Sequence, residues 1–380
     1  MGRRVVDFGS GHHLGGERAD DDTAYWLAIS RVPHIGPARI ERLLQRFGSL
    51  AGAWTAPSHE LRAVLEPRPL AELLEARATI DPLRELDRLA GIGIRAIHPE
   101  HPAYPRLLRE ISGRPPILYA RGDVTPADEN AVGIVGTRRA TPYGRQVAER
   151  IAGELAEAGV TVISGLARGI DAAAHAAALD AGGRTIAVLG SGPDVIYPAE
   201  HRILAERILE SGAIVTEQPP GTKPDAQNFP ARNRIISGMS IAVVVIEAPA
   251  RSGALITASF AADQGREVFV VPGSVLAASS EGSNALLRDG ARIVCSGADV
   301  LEDLDLGTAG TAGSVQTALP MDEMDEDERL VLGVMRPDPR HIDELTEETG
   351  LPAAVVGAAL MKMELKGLVR NFGAQFYVRR

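Results

Sequence analysis

An α/β protein, built on an extended Rossmann-like and mainly parallel sheet with a helical segment before it and a winged helix after it, is the fold class this sequence predicts. Three observations carry the prediction. Seven short β-rich runs between Ala131 and Cys295 recur about every 25–30 residues, separated by Ala- and Gly-rich helical stretches. Upstream of them, apolar residues are spaced by three and four rather than alternating. Downstream, the last 58 or so residues read as helix, turn, helix and hairpin.

The elements follow in order. Residues 1–20 are Gly, His, Arg and Asp without hydrophobic periodicity and are expected to form a disordered tail, in which His12 and His13 do not make a metal site. A helical domain is expected over 21–97. Its second part opens with IleGlyProAlaArgIleGluArgLeuLeuGlnArgPheGly from Ile35, where a Gly-Pro turn starts a helix. That turn resembles a SAM or helix-hairpin-helix unit, able to offer backbone N–H groups to a phosphate, and a plain small helical bundle remains the other reading. A further helical stretch runs over Leu70–Ala90.

The sheet domain is expected over 98–305, with strands at 131–135, 160–163, 185–189, 213–216, 241–246, 267–271 and 292–295. Near-continuous Val, Ile and Ala runs suit strands buried on both faces. Cys295, the one cysteine, ends the last run and is expected to be buried and inert. A Gly/Thr/Ala linker over 306–322 leads to an acidic run and a winged-helix domain over 323–380. The second helix of that domain is mostly Ala, Val, Leu and Met, with only Lys362 and Lys366 basic, whereas duplex readers display several basic or amide groups there. It is expected to serve protein interaction or an accessory role, with Arg370, Arg379 and Arg380 on the wing keeping duplex binding open.

Composition sets bounds on function. A single cysteine excludes an intramolecular disulfide and a multi-cysteine zinc site. No apolar run of about 18 residues occurs and the N-terminus lacks a signal-like apolar core, so the expectation is a cytoplasmic protein without membrane association. The net charge of −10 is regional: residues 1–97 carry 0, 98–300 carry −3, 301–350 carry −11 and 351–380 carry +4. Local patches govern phosphate affinity, so the total does not exclude DNA.

Ligands of open parallel sheets bind outside the carboxyl ends of the strands, and small and basic residues gather there. The first run ends in Gly136, Thr137 and Arg138–Arg139, with Pro142 opening a helix. The second ends in Ser164, Gly165, Arg168 and Gly169, where Asp171 is expected to cap the helix and bond His175. The segment 217–238 combines a proline-rich loop carrying Lys223, the aromatic Phe229, and Arg232, Asn233 and Arg234 at a helix start. Two arginines there call for an anion or a carboxylate, and Glu247 at the next strand end is the candidate partner. An aromatic beside arginines suits base stacking with phosphate contact. Ser252, Gly253 and Thr257 at another helix start, then Gly273, Ser274 and Asn284, complete the rim. No Walker loop, GxGxxG, HExxH or GxSxG is present, and carboxylates are sparse in these turns. No catalytic residue, metal or cofactor is therefore expected, and the rim reads as a binding site.

The motifs IleValGlyThrArg, SerGlyLeuAlaArgGlyIleAspAlaAlaAlaHis, AlaValLeuGlySerGlyProAspValIleTyrPro, AsnPheProAlaArgAsnArgIleIleSerGly, GluAlaProAlaArgSerGlyAlaLeuIleThrAla and ValProGlySer, in this order, resemble the DprA/Smf family of DNA-processing proteins across about 200 residues. The leader over 104–123 is similar to that family's entry into its extended Rossmann domain. The resemblance implies cooperative single-stranded DNA binding, homodimerisation, possible higher-order assembly on DNA, and loading of a RecA-type recombinase in natural transformation. It places the family's phosphate pocket on Gly136–Arg138, Ser164–Gly169 and Phe229–Arg234. Several relatives carry a lysine three residues before the phenylalanine; Ala226 stands here, and Lys223 is the candidate substitute. Two other readings are a nucleoside-monophosphate phosphoribohydrolase, whose Pro-Gly-Gly-x-Gly-Thr motif is not matched by the run from Val271, and a duplex-binding winged-helix regulator.

Overall fold

The computed structural model describes residues 16–306, 325–335, 340–366, 368–373 and 375–379. Two compact units divide at Gly307. Residues 1–15 of the tail expected over 1–20, and the linker beyond Leu306, lie outside the described residues.

In the first unit the chain begins with six helices: α1 (Gly16–Ser30), α2 (Pro37–Phe47), α3 (Leu50–Thr55), α4 (Ser58–Leu61), α5 (Pro67–Thr79) and α6 (Pro82–Gly91). The last five residues of the expected tail are thus already helical. Local signals set the boundaries. Pro37, Pro67 and Pro82 each occupy a first turn, where a missing N–H costs nothing. Gly48 ends α2 at φ 74°, and Ser49 caps α3 by accepting from Gly52 N at 3.0 Å. The run Leu70–Ala90 is two helices, because Pro82 disfavours helical backbone at Asp81, which instead caps α6.

These helices enclose Trp26, Leu27, Leu43, Leu50, Leu61 and Leu73 in one core with Ala96, Ile117 and Tyr119 of the neighbouring sheet edge. The division expected at residue 97 therefore runs through continuous packing.

Nine strands form the sheet: β1 (Arg95–Ile97), β2 (Leu118–Gly122), β3 (Ala131–Gly136), β4 (Thr161–Ser164), β5 (Thr185–Val188), β6 (Ala213–Thr216), β7 (Ala242–Ile246), β8 (Glu267–Val270) and β9 (Arg292–Ile293). Their order is β1-β2-β6-β5-β4-β3-β7-β8-β9. The seven strands from β3 onward pair in parallel, while β1 and β2 add an antiparallel edge beside β6. These two strands escaped the sequence reading because ArgAlaIle and LeuTyrAlaArgGly are short and carry little β-branched character. The last run shrinks to two residues and Cys295 is exposed, correcting its expected burial. Its backbone N–H is turned to Asp299 at 2.7 Å, where Ser296 caps the next helix and takes the chain out of the sheet.

Helices α7 (Arg106–Glu110), α8 (Pro142–Glu157), α9 (Ile170–Asp180), α10 (Arg202–Ser211), α11 (Asn228–Gly238), α12 (Gly253–Asp263), α13 (Glu281–Arg288) and α14 (Gly297–Asp303) cover the sheet. Val135, Ile163, Val188, Val243 and Val245 face one helical layer, and Ile134, Val162, Val244, Ile246 and Phe269 the other. Strands β4, β5 and β6 extend from one side of β3, and β7, β8 and β9 from the other. The winding reverses at β3/β7, where such sheets open a crevice beyond their carboxyl ends.

The second unit contains α15 (Glu326–Val334), β10 (Arg340–His341), α16 (Ile342–Thr349), α17 (Ala353–Leu365), β11 (Val369–Gly373) and β12 (Phe376–Arg379). Its small sheet has order β10-β12-β11 around a core of Val331, Leu345, Val356, Leu360 and Met363. This is a winged helix. Lys362 is bonded to Asp325 at 2.8 Å and Lys366 to the buried Glu328 at 2.7 Å. Lys362 of α17 and Lys366 at its C-cap are thus both engaged by the acidic segment that opens α15. Arg370 and Arg379 lie in strands, and Arg380 falls outside the described residues.

Candidate nucleic-acid interface

A cleft of about 700 Å³ lies at the β3/β7 switch point. Its floor is built by residues that must be small. A Cβ at Gly136 would overlap Ile246 O and the Ile170 side chain, and one at Gly165 would overlap the Arg232 guanidinium. Gly169, at φ 79°, lets the turn after β4 rest on the Thr137 and Arg138 backbone. The N-termini of α8, α9, α11 and α12 all follow strand ends here, and each contributes partial positive charge.

Glu247 closes the crevice at the end of β7 in a left-handed conformation, φ 46°. Its buried carboxylate accepts from Thr141 N at 2.9 Å and Thr141 Oγ1 at 2.5 Å, while its own O accepts from Thr137 N at 2.8 Å. It therefore clamps the β3–α8 turn and does not meet the arginines, contrary to expectation. Within that turn Thr137 Oγ1 accepts from Arg139 N at 3.2 Å, sending the side chains of Arg138 and Arg139 into solvent.

Asp171 also departs from its expected role. Its Oδ2 accepts from Gly165 N at 3.1 Å and Ala167 N at 3.3 Å, bracing the turn before its own helix. His175 bonds Thr185 Oγ1 at 2.7 Å instead of Asp171. Burial holds the His175 ring down to about 3 and raises the Asp171 carboxyl, which Arg232 opposes.

Arg232 is only 4% exposed. It donates to Val188 O, its Nε has no partner, and no carboxylate oxygen lies within ion-pair distance among the described residues. Burial lowers its guanidinium to about 10, so it remains a cation at neutral pH. A buried charge with an unused donor is costly unless an anion completes it. Above it, Arg138 lies over the half-buried Phe229 ring at 5.3 Å, and Tyr197 flanks the same ring at 5.7 Å.

The structure brings Gly136, Thr137, Arg138, Phe229, Arg232, Asn233, Ser252 and Gly253 together in the cleft lining. Ser252 caps α12, and Asn233 ties α11 to it through Gly253 O at 3.1 Å. Gly165 and Arg168 border a small adjoining recess with Phe229 and Tyr197. Arg168 is held bidentate by Glu200 at 2.6 and 2.8 Å. Arg234 turns to the other side of α11, bidentate to Glu217 at 2.6 and 2.9 Å, and faces away from the cleft. Ser164 is fully buried, donating to Ile134 O at 2.6 Å. Lys223 is exposed on the loop whose neighbours Pro224 and Ala226 line the rim. Asn284 and Gly273 bond each other outside the lining. Tyr197 and Arg251 line the cleft without having been singled out from sequence. Their only signal was membership of the GlySerGlyProAspValIleTyrPro and GluAlaProAlaArgSerGly motifs.

Comparison with known proteins agrees with this architecture. The family model for DNA recombination-mediator protein A matches residues 95–305, and that for the DprA winged helix domain matches 315–373. Protein Smf of Synechocystis sp. is 36% identical over 397 residues, covering 95% of this chain and 100% of that protein. DNA processing protein DprA of Bacillus subtilis is 43% identical over 213 residues, 56% of this chain and 72% of that one. The X-ray structure of DprA from Streptococcus pneumoniae superposes with a TM-score of 0.65 at 34% identity, covering 74% of this chain and 97% of that one. The DprA structure from Helicobacter pylori, described for its single-stranded DNA binding mode, gives a TM-score of 0.50 at 31% identity over 56% and 95% of the two chains. Among the described residues no helix is long and apolar enough to cross a membrane. With the switch-point cleft, the winged helix and both family matches in agreement, the chain belongs to the DNA recombination-mediator protein A family, the DprA/Smf DNA-processing proteins.

Proposed function

We propose that the switch-point cleft binds single-stranded DNA and that the protein mediates recombination, loading a RecA-type recombinase on incoming strands in natural transformation. Arg232 carries the reading. A buried guanidinium with an unpartnered Nε, at the base of a cleft ringed by helix N-termini, is an incomplete anion site. Phosphate oxygens complete it. Arg138, Arg139 and Arg251 have no carboxylate partner among the described residues and follow the backbone along the rim, while Phe229 offers a face to one base. Gly136, Gly165, Thr137, Ser252 and Gly253 allow close approach, and the exposed Lys223 adds charge on the loop beside the rim. The relative from Helicobacter pylori supports the ligand class.

Binding rather than catalysis fits the nearby acids. Both Glu247 carboxylate oxygens and the Asp171 Oδ2 are held by the turns they brace. The helical domain, the winged helix, a homodimeric state and a cytoplasmic setting complete the proposal as accessory features. Fluorescence anisotropy on a single strand and a duplex of equal length, across a salt series, tests it. The single strand should bind more tightly, with log affinity falling by roughly 0.7 per contacted phosphate for each decade of salt. Equal or tighter duplex binding at every salt concentration rejects the assignment. Recombinase nucleation on strands coated with single-strand-binding protein should rise with added protein.

A further inference from the structure

Away from the cleft, Asp22 on α1 approaches His98 and Glu100 in the segment after β1. One ring nitrogen of His98 and one oxygen from each carboxylate lie within 4.8 Å of one another. His98 is 4% exposed and its Nδ1 has no hydrogen-bond partner. Native structures rarely leave a buried ring nitrogen unsatisfied without a reason. Trp26 stacks on the imidazole with centroids 5.0 Å apart and planes at 16°, fixing the ring's orientation. His101 meets it edge-on at 5.9 Å, with its own Nδ1 accepting from Ala103 N at 3.0 Å.

We propose that Asp22, His98 and Glu100 bind one divalent first-row metal ion, Zn²⁺ by ligand chemistry, which clasps α1 to the segment between β1 and α7. One imidazole with two carboxylates is a borderline donor set that suits Zn²⁺ better than Mg²⁺. Two carboxylates match the ion's charge, and water completes the fourth position. Ligand atoms of a tetrahedral site sit about 3.4 Å apart, given metal bonds near 2.0–2.1 Å. Closing from separations of at most 4.8 Å asks for a movement that the exposed Glu100 and half-buried Asp22 side chains can make.

The full chain, stripped with a chelator and dialysed, is titrated with ZnCl₂ alone against a chromophoric competitor, and with CoCl₂ for its visible spectrum. One equivalent should bind and raise the melting temperature. Asp22→Asn and Glu100→Gln should each weaken binding by roughly tenfold or more, given that even indirect partners cost that much. The melting temperature of the stripped Glu100→Gln protein should match that of the parent, which separates ligation from folding. A His12→Ala/His13→Ala chain should keep the site. Absence of stoichiometric binding, affinity unchanged in both carboxylate variants, loss of binding with His12 and His13, or preference for Mg²⁺ over Zn²⁺ would each overturn the proposal.

Discussion

Replacing Arg138, Arg139 and Arg251 together by alanine separates the cleft's free charge from its structural charge. All three are exposed and lack a carboxylate partner among the described residues, so their charge is available to a polyanion. Each phosphate contact on a single strand contributes about 0.7 to the slope of log affinity against log salt, so the triple variant should lose about 2.1. Between 50 and 200 mM salt that difference narrows the parent-to-variant affinity ratio roughly 18-fold, because the variant has less to lose as salt rises. Stability should barely move, since exposed substitutions typically stay within about 0.5 kcal/mol and only Arg138 also gives up a ring contact. Anisotropy with a labelled oligonucleotide at five salt concentrations reads the slope, and thermal melting reads the fold. Arg168→Ala is the control: it removes the same formal charge from the same rim, but from a guanidinium already matched by Glu200. Its slope should stay close to the parent's. An unchanged slope in the triple variant, or an equal drop per arginine in the control, refutes the division into free and paired charges.

Three further outcomes follow from the same geometry. Phe229→Leu should cost about 1–3 kcal/mol of single-strand affinity from lost base stacking while leaving the salt slope intact, and Phe229→Tyr should retain most of it; a changed slope in Phe229→Leu would mean the ring acts by positioning Arg138. Gly165→Ala puts a methyl into the Arg232 guanidinium and should weaken binding about tenfold or more with no change in charge, so full affinity in a folded variant would remove Arg232 from the site. His175 sits near 3 in the folded chain against roughly 6.5 when unfolded, so the unfolded state takes up the extra proton between those values. The stability this neutral, buried ring contributes is complete above pH 6.5 and declines as pH falls, by at most about 1.4 kcal/mol per unit. Urea unfolding between pH 6.5 and 5 should show that decline in the parent and a shallower one in His175→Gln; identical limbs would count against it.

What the sequence revealed and what it hid divide along physical lines. Strands β3 to β8 were legible because Val, Ile and Ala runs at regular spacing describe a strand buried on both faces. Their ends identified the cleft, since small residues at Gly136 and Gly165 are required by backbone and guanidinium contacts that a side chain would fill. Hidden were β1 and β2, whose pairing depends on partners distant in sequence. Hidden too was the fate of each polar group. Arg232 and Arg234 stand two apart at one helix start, yet one is buried under the cleft and the other lies bidentate on Glu217, facing away from it. A helix turns about 100° per residue, so a separation of two sends side chains to opposite faces.

The same pairing logic resolves the acidic composition. Four carboxylates of the elements around the cleft are committed: Glu247 to Thr141, Asp171 to the turn at Gly165, Glu200 to Arg168 and Glu217, on the far side of α11, to Arg234. The Glu200 and Glu217 pairs each cancel one acid against one arginine, while hydrogen bonds fix the Glu247 and Asp171 carboxylates in the turns they brace. What remains unmatched on the rim is Arg138, Arg139 and Arg251, with Arg232 beneath. In the second unit the pairing runs the other way, with Asp325 engaging Lys362 of α17 and Glu328 engaging Lys366 at its C-cap. Net charge is therefore a poor guide to where this chain meets a polyanion. The informative quantity is the residue of charge after tertiary pairing, which is positive at the switch point and cancelled on the helix that a duplex reader would use.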